Sequence, residues 1–224
     1  MNNKRIITWL LAFLPLVITI IVLPMLPDET PAHYGFDGQV TRYGSKYEAL
    51  GLPIVTILFG FFWLLVEKIS SKDKNYEQNK KVLFWGNIGL SLFFTVITVW
   101  FLYLDFTHTE NIYNTDIDFM KIEAVFLSIL WIILGIILPK CKQNWVAGFR
   151  VPWTYKSENC WDETHRFGGK LYVINGIISA LLCLFVFNGL IALYYSLGSI
   201  FVISIIVLIY SYRVYRQEMK KGSI

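Results

Sequence analysis

The chain has 224 residues, of which 55% are apolar and only 16% charged, with a mean hydropathy of +0.52. Soluble domains carry about 25% charged residues, so a water-soluble globular fold is excluded. The net charge of +4 is no argument for direct nucleic-acid binding, because the charge map of a membrane protein accounts for it.

Charge is absent from residues 6–26, 49–66, 82–104 and 124–138, and from the longer run 171–212. A helix needs about 20 apolar residues to cross the hydrocarbon core. The first four runs are single spans, and the fifth is long enough for two. Its reversal is expected at Asn188-Gly189, where a tight turn needs residues that tolerate left-handed backbone. The run 124–138 is short, and extends back to Phe119 if Lys121 and Glu123 snorkel. Lys4 and Arg5 ahead of the first run mimic a secretory signal. That run is longer than a signal core, however, and ends in VLPMLPDETP with no small-x-small cleavage site, so it reads as a retained span.

Orientation follows from the basic residues. Seventeen of the 20 Lys and Arg fall on the side of the N-terminus, the second and fourth loops and the tail; Arg42, Lys46 and Lys121 fall on the other. Short loops rich in Lys and Arg stay cytoplasmic, which predicts both termini inside. Cys141 and Cys160 then face a reducing compartment and Cys183 lies in a span, so all three are expected to be packing residues rather than disulfide partners.

The first outer loop holds three Pro and four Gly between Pro27 and Pro53, a pattern for turns and short extended pieces. His33 stands beside Tyr34 and Phe36, Asp37-Gly38 is a favoured turn pair, and Tyr43 and Tyr47 suit the lipid interface. The loop is either a recognition patch or a lid packed on the helix ends. The third loop, with Asp105, Glu110, Asp116 and Asp118, reads as an acidic, solvated connector or a surface for cations or a basic peptide.

The densest polar chemistry sits in residues 144–170, NWVAGFRVPWTYKSENCWDETHRFGGK. Pro152 keeps Val151 out of the helical region. From Ser157, a cap, the pattern turns helical, with Glu158 in the first turn and Asp162 and Arg166 at ion-pair spacing. Trp161, His165 and Gly168 share another stripe, and Gly168-Gly169 is expected to end this short interfacial helix, its Trp153, Trp161 and Phe167 turned to the headgroups.

Several functions compete for this loop. Glu163, His165 and Arg150 offer an acid–base set, but no nucleophile or phosphate-loop motif accompanies them. Cys141, Cys160 and His165 offer zinc ligands at a spacing that fits no standard pattern. The remaining readings are a docking surface with Trp and Arg anchors and a brace with its charges paired internally. Within the spans, Asn87 with Ser91 and Asn175 with Ser179 suit interhelical hydrogen bonds, and no acid or base falls mid-span to serve a proton relay.

Gly148, Phe149, Arg150, Pro152, Trp153 and Thr154, followed by Trp161, Thr164, His165, Arg166, Gly168 and Gly169, with Asn144 upstream, resemble the signature of the SdpI family of immunity proteins. Pro27, Pro31, His33, Gly38, Ser45 and Lys46 resemble the N-terminal domain of unknown function found in that family. The resemblance implies an N-terminal family domain over 1–70 and an SdpI-type domain over 71–224, in an all-α, six-transmembrane-helix bundle with the short cytoplasmic helix between spans 4 and 5. It implies a bacterial cell-membrane protein, not an enzyme and without cofactor or metal, that gives resistance to a secreted peptide toxin met at the outer face. It also implies a helix-turn-helix repressor held at the inner face, with membrane lipid around the spans. The competing reading is a membrane enzyme or transporter for a lipid-linked or small substrate, centred on Glu163 and His165.

Overall fold

Six helices follow the uncharged runs in a computed structural model that describes residues 3–35 and 37–222. They are α1 (Asn3–Val22), α2 (Gly51–Ser70), α3 (Tyr76–Phe106), α4 (Phe119–Ile137), α5 (Glu158–Phe185) and α6 (Gly189–Lys220). All six are long and apolar enough to cross a membrane. Phe36, read above as a neighbour of His33, lies outside the described residues.

The boundaries obey the local chemistry. α4 begins at Phe119, so the short fourth run does extend backward as expected. α6 begins at Gly189, whose φ of 53° supplies the left-handed step between α5 and α6. Ser157 caps α5, its hydroxyl accepting from the Cys160 N–H. One expectation fails here. The separate interfacial helix between spans 4 and 5 does not exist, because α5 runs unbroken from Glu158 to Phe185. Neither Gly168 nor Gly169 has a positive φ, and their lack of a side chain is used for packing instead. A Cβ on Gly169 would lie 2.6 Å from the Gly135 carbonyl oxygen and 2.7 Å from Pro139.

The first outer loop is a β-hairpin. β1 (Glu29–Tyr34) and β2 (Val40–Ser45) pair antiparallel, with irregular register around His33, and a 3-10 turn over Lys46–Leu50 leads into α2.

The chain divides into two compact units, Met1–Leu65 with Asn87–Phe119, and Val66–Gly86 with Met120–Ile224. Both are inside-out relative to a soluble core. Leu10, Ile21, Phe185, Ile191 and Phe201 point outward, while Thr19, Asn87, Ser91, Ser128, Ser179 and Ser196 are buried. Helices immersed in lipid gain little by hiding apolar groups from one another, so small residues and hydrogen bonds make their contacts. In the first unit Asn87 Nδ2 donates to Thr8 Oγ1 at 3.1 Å, tying α3 to α1. In the second, Asn175 Nδ2 donates to Ser199 Oγ at 3.1 Å and Tyr172 joins Ser204 at 2.8 Å, tying α5 to α6. On an adjoining face of α5, a Cβ at Gly176 would stand 2.7 Å from the Ser128 carbonyl oxygen and one at Gly135 2.7 Å from that of Gly169, so α4 and α5 touch backbone to backbone.

Candidate functional site

The signature loop folds back on the start of α5, and His165 is where the two meet. Gly148 has a φ of 108°, and a Cβ there would lie 2.1 Å from His165 Nε2. This tight approach brings the Phe149 N–H to Nε2, to which it donates at 3.0 Å. A nitrogen that accepts carries no proton, so the proton sits on Nδ1 and is donated to the Trp161 carbonyl at 2.8 Å. His165 is thus the neutral Nδ1–H tautomer, with both ring nitrogens committed to backbone and no surface exposed. Trp161 stacks on it at 4.2 Å and 20°, and donates through Nε1 to the Cys141 carbonyl at 2.7 Å.

Asn144, Thr154 and Thr164 spend their polar groups on nearby backbone. Asn144 Oδ1 accepts from the N–H groups of Val146 and Ala147, and its amide donates to the Lys142 carbonyl at 2.7 Å. Thr154, fully buried, donates to the Phe149 carbonyl at 2.9 Å and receives the Val151 N–H. Thr164 donates to the Cys160 carbonyl at 2.6 Å. The thiol of Cys141 is buried, and burial lifts its pKa to about 11, partly countered by the Asn144 amide that donates to the sulfur. Asn144, Gly148, Thr154, Trp161, Thr164 and His165 therefore act from within the loop.

Neighbouring helices hold the loop down. Asn79 of α3 accepts the Lys142 N–H at 2.8 Å and donates to its carbonyl at 3.0 Å, and Asn75 donates to the Gln143 carbonyl at 2.8 Å. From α6, Ser211 receives the Trp153 indole N–H at 2.8 Å, and Asn159 bonds Glu218. Lys156 reaches the Tyr215 hydroxyl at 3.2 Å. Asn79 and Asn75 were not singled out from sequence, and Phe149 entered only as a letter of the signature. A lone Asn near a helix start has no signature of its own, and Phe149 acts through its N–H, which any residue supplies.

Two details of the sequence reading are corrected. Asp162 pairs with Lys142 at 2.8 Å and not with Arg166, which pairs with Glu163 at 3.3 Å. Trp161 is enclosed by protein rather than turned to headgroups, and Phe167 stacks on Tyr210 at 4.0 Å. Arg150, Pro152, Lys156, Arg166 and Trp145 remain exposed. Arg150 donates to the Trp145 carbonyl, and Trp145, 74% exposed, stacks on Tyr155 at 5.3 Å. Beneath Trp145, a mostly apolar cavity of about 230 Å³ is lined by Ile69, Asp73, Tyr76, Leu83, Asn144 and Val146. A polar one of about 200 Å³ lies between Asn75, Lys142, Glu158 and Asp162. Neither reaches Glu163 or His165, as a site for acid–base work on a substrate would require.

The hairpin forms a second polar assembly in the other unit. Loop 107–118 is docked on it, with most of its residues still exposed. Val40 N–H donates to the Glu110 carbonyl at 3.1 Å, Ile112 N–H to the Gly38 carbonyl at 3.0 Å, and Tyr34 hydroxyl to the Thr109 carbonyl at 2.9 Å. Tyr43 donates to Glu110 at 2.7 Å and stacks on His108 at 5.7 Å, so that tyrosine belongs to the loop contact. Burial raises the pKa of Tyr34, and the hydrogen bond to Glu110 raises that of Tyr43. Gly38, at φ 79°, leaves room for the Tyr113 ring. Pro31 is buried; Pro27 and His33 are exposed, His33 joining Thr41 at 2.6 Å. Ser45 caps the turn into α2, and Lys46 bonds Asp28 at 2.8 Å, which holds that carboxyl below its usual range.

Six apolar helices define a multi-pass helical membrane protein, with a docked hairpin in one unit and a loop tied to the start of α5 in the other. Residues 140–211 match the SdpI/YfhL protein family and residues 10–57 match a domain of unknown function, DUF1648. Over residues 140–211 the chain is similar to the SdpI/YfhL family. Among curated proteins it is similar to "Immunity protein SdpI" of Bacillus subtilis (strain 168), 26% identical over 185 residues, covering 82% of this chain and 83% of that protein. No solved structure matches significantly.

Proposed function

We propose that this chain is a non-enzymatic immunity protein of a bacterial cytoplasmic membrane. The observation that carries the reading is the similarity to an immunity protein, which runs through about four fifths of both chains rather than through one motif. On this reading 1–70 and 71–224 are two family domains and both termini are cytoplasmic, since Lys and Arg gather on that side. The hairpin with its docked loop then faces a secreted peptide toxin. Its exposed His33, Thr41 and Tyr43 form the contact surface. On the cytoplasmic side the internally satisfied residues shape the loop, and Arg150, Pro152, Arg166 and Trp145 present a surface to a partner, a helix-turn-helix repressor. Lipid surrounds the spans. An enzyme centred on His165 is disfavoured because both its ring nitrogens are occupied by backbone.

The test is deletion of the gene, challenge with killing peptides from related bacteria, and complementation. Restored resistance by the wild-type chain supports the reading; unchanged sensitivity of the deletion strain to every peptide overturns it. Arg150→Ala is expected to keep membrane abundance and lose signalling or protection. Loss of the protein itself would mean that Arg150 only braces the loop.

A further inference from the structure

A groove of about 380 Å³ opens on the outer surface of the second unit, between the start of α3 and the end of α4. Its walls are Val82, Trp85, Ile133, Ile136 and Ile137, and its rim carries Gln78, Lys81 and Lys140. On α3, Lys81 and Trp85 are one turn apart and share a face. On the other wall, Ile136 lies one turn before Lys140. Both walls thus place their cation at the same end and their apolar groups one turn deeper.

The charges here are handled differently from those nearby. Lys80 pairs with Glu77, Lys142 with Asp162 and Lys74 with Glu158. Lys81 and Lys140, both exposed, form no ion pair among the described residues. Two lysines without an anion, above an indole and three isoleucines on spanning helices, complement a molecule with a negative head and a hydrocarbon tail. Basic pockets between spanning helices suit acidic headgroups.

We infer that this groove binds one anionic phospholipid. The headgroup phosphate sits between Lys81 and Lys140 with the Gln78 amide donating to it, and an acyl chain lies along Val82, Trp85 and Ile136. The inference needs the chain to span a membrane and is independent of any immunity role.

Native mass spectrometry of the detergent-solubilised full chain, given equal phosphatidylglycerol and phosphatidylethanolamine, tests it. Phosphatidylglycerol adducts are expected to exceed the zwitterionic lipid by on the order of tenfold. Lys81→Gln/Lys140→Gln should bring the ratio to near unity, and Lys80→Gln should leave it unchanged. Phosphatidylglycerol with brominated acyl chains should quench the wild type more than Trp85→Phe, an arm that holds even if the double variant folds poorly. Equal retention of both lipids, a preference that survives the double substitution, or identical quenching in Trp85→Phe would each overturn the site. So would displacement by millimolar inorganic phosphate. Ready disulfide dimers of Trp85→Cys in lipid would give the groove to a second copy and likewise overturn it.

Discussion

At Gly148 two demands coincide: a left-handed backbone that side chains rarely adopt, and a histidine nitrogen where a Cβ would stand. Gly148→Ala therefore meets strain of roughly 1–3 kcal/mol before any clash is counted. If the loop moves to escape it, the Phe149 N–H loses its acceptor, at about 1–3 kcal/mol for a buried donor. The expected outcome is a clearly lowered Tm in detergent; an unchanged Tm would contradict the Gly148–His165 contact. Cys141 makes a second residue-level prediction. Its folded pKa of about 11 lies above the unfolded value of 9.0, so burial favours the thiol. The stability linked to this group is present below pH 9 and lost as pH rises toward 11. At pH 8 about one molecule in a thousand carries the thiolate that alkylating reagents attack. Iodoacetamide should label Cys141 only after denaturation; rapid labelling of the folded protein would refute its burial.

Among the elements, α3 is tied to the signature loop, which in turn pairs with α5 through Lys142 and Asp162. Asn79 satisfies both the N–H and the carbonyl of Lys142, the strand-like pairing that a loop lacks. Asn79→Ala removes two hydrogen bonds worth about 0.5–1.5 kcal/mol each. Amide exchange in 141–157 is expected to speed up by on the order of tenfold while the middle of α5 stays protected. Uniform speeding across both would mean global destabilisation instead. The helix elements themselves were legible as uncharged runs, because a bilayer demands a nearly continuous apolar stretch. The break placed at Gly168-Gly169 was not sound, since glycine signals a helix end and close helix packing with the same letters. Only Gly135 on the facing helix distinguishes the two.

For the whole molecule, orientation is the property on which the proposed function turns. Ser45 and Lys156 are both exposed and lie in the hairpin and the signature loop. The buried native cysteines contribute little background to thiol labelling. Ser45→Cys should react with an impermeant maleimide on intact cells, and Lys156→Cys only after permeabilisation. Reversed labelling would invert the two faces; labelling of both from outside would remove the proposed division into a toxin-facing and a cytoplasmic surface. What the sequence by itself determined was class: six spans, their approximate limits, a turn-rich first outer loop and the motif residues, all written in local composition and spacing. The tertiary structure decided what those residues are for. His165, Trp161, Thr154 and Asn144 are polar or aromatic and look like binding residues on paper. Folding consumes their hydrogen bonds on backbone groups, and such groups carry no mark in the residue letters.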